Sequence, residues 1–260
     1  MPVDAQPEPC ETTGRLPAPL LRPYVAGYGG FRSGSGASVR HRILPLNLTT
    51  AIVDLTGEAQ VVTGPRETPT VYEQTTWRCG VTIGFTPLGA RALLGVAAPD
   101  LVGLTVPLAD LPGGHDAEMV ERLAAAPGWP ARFDLLDDLL RGRLVRDVLA
   151  DPLVTRAWWR LQHDAGTHRV GALAAHFGVS RRHLEVKFRR EIGLTPGTVT
   201  RIARFQRAAG MLSRHAPLSA TAADCGYADQ PHLTREIRTM SGLTPTELFA
   251  FLQYRDLVRG

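Results

Sequence analysis

Lysine is almost missing from this chain: only Lys187 among 29 basic residues is lysine, the rest being arginine. Such a bias reflects codon composition more than function, although arginine suits bidentate contacts to guanine and phosphate. Cysteine is also scarce. Cys10, Cys79 and Cys225 are odd in number, scattered and in no metal-ligand spacing, which removes a disulfide framework and a thiolate zinc site and points to a reduced cytoplasm. The front half holds only His41 and His115, too few for a metal-binding barrel with three imidazoles. His163, His168, His176, His183 and His215 read as helical and widely spaced, serving surface or core. No apolar run reaches membrane-spanning length, and Met1-Pro2-Val3-Asp4 lacks the basic and apolar regions of a signal peptide. A Gly-rich phosphate loop, a nucleophile elbow and a zinc-type histidine pair are all missing. The expectation is a protein that is not an enzyme, with no catalytic residue, metal or cofactor.

What is present is a duplication. Gly193-Leu194-Thr195-Pro196 returns as Gly242-Leu243-Thr244-Pro245, and at the same offset of 49 His183-Leu184 matches His232-Leu233 and Arg189 matches Arg238. Upstream the offset is 48, Ala174 matching Ala222 and Gly178 matching Gly226. Two copies are too few for a solenoid, so the unit reads as a pair of small modules presenting one surface twice.

In the first copy Val170, Leu173, Ala174 and Phe177 have the spacing of a buried helical stripe. Gly178 is placed to turn the chain, and Ser180 to cap a second helix over about 181–191. Leu184 and Phe188 face inward there, while Arg181, Arg182, Glu185 and Arg189 lie outside, flanked by His183 and Lys187. In the second copy Leu218, Ala222 and Cys225 lead to Gly226, and Asp229 is the cap. Leu233 and Ile237 then face inward, and Gln230, His232, Thr234, Arg235 and Arg238 are candidates for the outer surface. Helix, glycine turn and capped helix make a helix-turn-helix pattern. Either copy alone reads equally well as a helical hairpin that merely packs; duplication, matching caps and two basic outer faces favour the first reading.

These residues, with Gly226-Tyr227-Ala228-Asp229-Gln230-Pro231-His232-Leu233-Thr234-Arg235 and both Gly-Leu-Thr-Pro segments, make residues 151–257 resemble the AraC/XylS-type DNA-binding domain. The resemblance implies two helix-turn-helix units, joined by a long helix, inserting their second helices into adjacent major grooves. Carried over by position, it implies base reading by Arg182, Glu185 and Val186 in the first unit. In the second unit the implied readers are Gln230, Pro231, His232 and Arg235. Arg181, Arg189 and Arg238 complete the expected DNA-binding set. Val186 stands where the family often has arginine, so it reads through apolar contact at most. Ile237 replaces a usual phenylalanine, a conservative core change.

Residues 196–214 stay helix-compatible, with Val199, Ile202, Ala209 and Leu212 as a buried side and Arg201, Arg204 and Arg207 mostly turned elsewhere. About 18 residues at 1.5 Å give a rod of roughly 27 Å, near the ~34 Å turn of B-DNA. Gly210 inside it costs about 1 kcal/mol relative to alanine, with close packing as the candidate reason. Charge agrees: residues 161–260 carry 14 basic and 8 acidic residues, +6, against 15 and 17, −2, in residues 1–160.

The front half reads as short strands over 24–31, 42–46, 50–55, 60–63, 70–73 and 79–85. Helices are expected over 87–94, 117–126 and 132–149, the last carrying a Leu136, Leu140, Leu144 and Val148 stripe that fits either the barrel or a homodimer seam. Phe85-Thr86-Pro87-Leu88-Gly89-Ala90 and Val106-Pro107-Leu108-Ala109-Asp110-Leu111 resemble the amino-terminal domain of many actinobacterial AraC-type regulators. Tyr72, Trp77 and Phe85 read as core, with a pocket as the alternative, and Trp158-Trp159 reads as packing.

The expected fold is α+β. A loose tail over 1–19 precedes a small β-barrel or sandwich with flanking helices over 20–150, the regulatory domain, with a flexible loop at 33–38. An all-α DNA-binding domain follows over 151–260, its units at about 170–191 and 218–239 and its linker helix at 196–214. The expected partner is double-stranded DNA, with RNA polymerase, a small-molecule effector and a homodimer partner as further possibilities. The function implied is a sequence-specific transcription regulator. A DNA-repair alkyltransferase lacks its cysteine cluster, and a non-specific architectural binder does not need two differently decorated helices.

Overall fold

The computed structural model describes residues 10–33, 39–56, 60–75, 77–114, 117–145, 151–164 and 169–256. Eight strands build the front half: β1 (Cys10–Arg15), β2 (Val25–Ser33), β3 (Val39–Ile43), β4 (Thr49–Asp54), β5 (Gln60–Thr63), β6 (Thr70–Thr75), β7 (Cys79–Phe85) and β8 (Thr105–Pro107). Six form an antiparallel sheet in the order β1-β2-β7-β4-β5-β8, and β3 pairs with β6 as a separate ribbon. The period of two explains the central strands. Val81, Ile83 and Phe85 of β7 face the core, and Ala51 and Val53 of β4 do the same.

Three strands depart from the sequence expectation, β8 lying where none is expected. Residues 10–15, expected in a loose tail, pair along β2 from Cys10 opposite Ser33 to Arg15 opposite Tyr28. This strand has no apolar alternation, because polar contacts with a helix hold it: the Trp129 indole donates to Glu11 Oε1 at 2.8 Å, and Arg15 reaches Asp134 and Asp137 at 2.6 and 2.8 Å. The strand expected over 42–46 instead covers 39–43. Pro45 has no N–H to donate to a ladder, and Leu44 and Leu48 pack on the C-terminal domain.

Three helices cover the sheet: α1 (Pro87–Leu94), α2 (Ala117–Ala125) and α3 (Trp129–Arg143). Helix α3 begins three residues before its expected start and ends early, with Leu144 at its C-cap in an extended conformation. The stripe therefore reduces to Leu136 and Leu140, buried in this domain's own core, with Leu144 packed beside it. Val148 lies outside the described residues, as do His115, His168 and the loop at 34–38. A buried carboxylate fixes α3 on the sheet. Asp137 accepts from the Tyr28 hydroxyl at 2.9 Å and from the Ala18 N–H at 2.9 Å. Burial and then Asp137 hold the Tyr28 hydroxyl well above the usual tyrosine range.

The rear half is helical: α4 (Pro152–His163), α5 (Val170–His176), α6 (Arg181–Ile192), α7 (Pro196–Ser213), α8 (Leu218–Asp224), α9 (Gln230–Ser241) and α10 (Pro245–Asp256). One core runs through it, with Trp158, Leu161, Phe188, Ile192, Ile202, Phe205, Leu233 and Ile237 all at most 2% exposed. His215, expected on a helix, sits in the α7–α8 turn with φ +62°. Trp158 is core and Trp159 packs edge-on against it at 4.9 Å. Trp77 and Phe85 are buried, and Phe85 joins Val53, Ile83, Leu94 and Met119 around a small apolar pocket in the sheet domain. The side chain of Tyr72 lies outside the described residues.

Candidate nucleic-acid interface

The two repeats fold alike. Helices α5 and α8 have 7 residues each, and α6 and α9 have 12 each. Gly178 and Gly226 turn the chain at φ +66° and +70°, where a side chain would be strained. Ser180 then accepts from the His183 N–H at 3.1 Å, and Asp229 from the His232 N–H at 2.6 Å. The slip in offset from 48 to 49 is one extra residue in the second turn, since Ser180 follows its glycine by two and Asp229 by three.

The outer face of α6 divides by pairing. Arg181 Nε donates to Glu185 Oε1 at 2.8 Å, an ion pair one helical turn long. Arg182, Val186 and Arg189 lie at i, i+4 and i+7 and are all exposed, Val186 at 56%. They form one stripe along the helix. Lys187 leaves the face: its ammonium meets Asp151 Oδ2 at 2.7 Å. Asp151 also caps α4, accepting from the Leu153 N–H at 2.9 Å. The Lys187 ammonium, against the opposing effect of partial burial, holds this carboxyl below its ordinary range.

On α9, Gln230, Pro231, Arg235 and Arg238 are exposed. His232 is half-buried, its Nδ1 accepting from the Ala228 N–H at 3.3 Å and its ring edge-on to Tyr227 at 5.3 Å. It therefore shapes the turn as well as flanking the face. From the inner side α7 braces α9: Arg201 grips Glu236 through Nε at 2.5 Å and Nη2 at 3.2 Å. Arg204 lies over the Tyr227 ring, 5.3 Å from its centroid.

The sheet domain touches the second helix of both repeats at equivalent points. Gly193 and Gly242 are their left-handed C-caps, at φ +81° and +69°. A Cβ on Gly193 would meet Val102 Cγ2 at 2.4 Å and Pro99 Cα at 2.9 Å. Beside Gly242, Arg42 Nη1 donates to the Ser241 carbonyl at 2.6 Å. Gln206 of α7 reaches the Pro45 carbonyl at 3.4 Å. None of Asp151, Glu236, Arg42, Pro99 and Val102 stands out in the sequence. Their partners lie far along the chain, and no local period marks such contacts.

Two capped helices of equal length, each turned on a left-handed glycine and joined by an 18-residue helix, define a double helix-turn-helix domain. Residues 173–250 match a family model described as a helix-turn-helix domain. Over 92 residues the chain is 29% identical to the F1 operon positive regulatory protein of Yersinia pestis, covering 34% of this chain and 31% of that one. The chain thus spans about a third of the length of that curated relative. The structure of ToxT from Vibrio cholerae covers 94% of this chain and 99% of that chain, at 9% identity and a TM-score of 0.50, so the two-domain fold is shared. The DNA-binding domain of AdpA, solved with a target DNA, is 27% identical over 43% of this chain and 100% of that one, with a TM-score of 0.36. The C-terminal part of this chain is thus similar to known helix-turn-helix domains over residues 173–250.

Proposed function

We propose that this protein is a sequence-specific, DNA-binding transcription regulator of the cytoplasm whose sheet domain governs its helix-turn-helix pair. The observation that carries this reading is the repeated frame with unlike faces. Caps, lengths and turns are shared, while α6 presents Arg182 and Val186 where α9 presents Pro231 and Arg235. A non-specific binder needs only phosphate contacts, which carry no sequence information. In this reading Arg189 and Arg238, late in the two helices, meet phosphates, and Arg182, Val186 and Arg235 meet base edges. A small-molecule effector acting on the sheet domain and contact with RNA polymerase are further parts of this reading.

The test is quantitative binding of the full chain to duplexes selected from a random pool. With about six phosphates neutralised, log affinity falls against log salt with a slope near −5. Arg182→Ala relaxes base preference in one half of the site and Arg235→Ala in the other, each at a cost of about 1–3 kcal/mol. Binding that is insensitive to salt, or no enrichment of any sequence, overturns the reading.

A further inference from the structure

The duplication supplies an internal control for base recognition, because Val186 and Arg235 stand 49 residues apart at the same place in the repeated frame. Each is the sixth residue of its 12-residue helix, six after the capping side chain and seven before the left-handed glycine. Equivalent positions on recognition helices of the same length face equivalent levels of their grooves. One of them carries a guanidinium and the other only methyl groups.

Val186 is not a core residue. The other apolar side chains of α6, Leu184, Phe188 and Ile192, are 0% exposed, whereas Val186 is 56% exposed. Five large hydrophobic residues are conspicuously exposed among the described residues, and Val186 is the one that lies in the C-terminal domain. Its exposure has no offsetting local gain, since a β-branched residue is a poor choice inside a helix. It sits between Arg182 and Arg189 on the exposed stripe, with the neighbouring Arg181 and Glu185 engaged with each other and Lys187 held by Asp151. Among the described residues, none of the core clusters includes it.

A side chain without donor or acceptor can distinguish base pairs in the major groove only through shape and apolar contact. The one apolar group displayed there is the 5-methyl of thymine. An arginine at the same level finds its best partner in the O6/N7 edge of guanine.

We infer that Val186 reads a thymine methyl in the half-site bound by α6, at the level where Arg235 reads a guanine in the half-site bound by α9. This rests on the proposed DNA-binding function and assigns a base class to each half. Arg182, one turn before Val186, flanks that thymine on the same stripe.

The full chain is first used to select a site from random duplexes. Each thymine of that site is then replaced singly by deoxyuridine, which removes the methyl and keeps the hydrogen-bonding edges. One thymine in one half-site loses about 4-fold in affinity on this change, the worth of one buried methyl group. Val186→Ala binds the thymine site more weakly by a similar factor and no longer distinguishes thymine from deoxyuridine at that position. Val186→Arg moves the preference there from thymine to guanine by about tenfold, with the salt dependence still steep. Affinities that stay within about twofold for deoxyuridine at every thymine overturn the assignment. So does methyl sensitivity that survives in Val186→Ala. Selection that yields no site overturns the regulator reading beneath it, and the two failures are thereby distinct.

Discussion

Cys225 shows how one residue's surroundings decide between a sensor and a packing element. It aligns with Phe177 of the first repeat, and its side chain is 0% exposed, with Sγ 3.7 Å from the Met211 sulfur. Burial pushes the thiol above its ordinary range, so little of the nucleophilic thiolate forms near neutrality. Cys225→Val and Cys225→Ala are therefore expected to keep specific DNA binding, the alanine losing about 1–2 kcal/mol of stability through the space it leaves. Mild peroxide should leave wild-type binding unchanged in a mobility-shift titration. Release of DNA by peroxide that disappears in Cys225→Ala would make the protein a thiol sensor instead.

Among the elements, α7 carries a residue that works against it. Gly210 lies inside this 18-residue helix, and a Cβ placed there meets nothing closer than Arg214 Nη1 at 3.8 Å. Close packing therefore does not explain it, and the structure gives no other reason for it. Gly210→Ala should raise stability by about 0.5–1 kcal/mol, read as a higher urea midpoint at unchanged slope. The pair between α4 and α6 gives a pH signature. Because Lys187 lowers the Asp151 carboxyl below its unfolded value, the stabilisation is present above that value and is lost as pH falls through the folded one. Asp151→Asn, which retains an acceptor for the cap, should cost no more than about 1 kcal/mol at neutrality for this partly exposed pair. Chemical unfolding below about pH 4 should show the two proteins converging.

The same elements show what a sequence can disclose. The caps Ser180 and Asp229, the turn glycines and the inward Leu184, Phe188, Leu233 and Ile237 are local signals, and the recognition helices follow from them within a residue or two. Strand β1 was hidden because its partners, Tyr28, Trp129 and Asp137, are remote and its contacts polar. The end of α3 was misplaced because a four-residue apolar stripe runs on past Arg143, where the backbone turns extended at Leu144. On the outer face the residue types were legible, but which charges cancel was not. That Glu185 is engaged by Arg181, and Lys187 by Asp151, emerges only from the fold.

At the scale of the whole molecule, the apolar stripe of α3 is turned inward among the described residues. Leu136 and Leu140 are spent inside the sheet domain, and the exposed side of the helix carries Asp134, Asp138 and Arg141. A charged face of this kind does not bury well against its own copy. Sedimentation of the full chain without DNA, at about tens of micromolar, should therefore show no dimer whose formation responds to Asp138→Arg. A dimer abolished by that substitution would restore the seam.

The paired glycine caps have one more consequence. The sheet domain rests on the end of α6 through Pro99 and Val102, and on the end of α9 through Arg42. With α7 joining the two units, these contacts link the sheet domain to both repeats. Coupling free energy between two binding sites is symmetric. If a ligand of the sheet domain changes operator affinity, as proposed, the operator changes the affinity for that ligand by the same factor. A promoter would then be an effector of its own regulator, tuning what the molecule senses as much as where it sits.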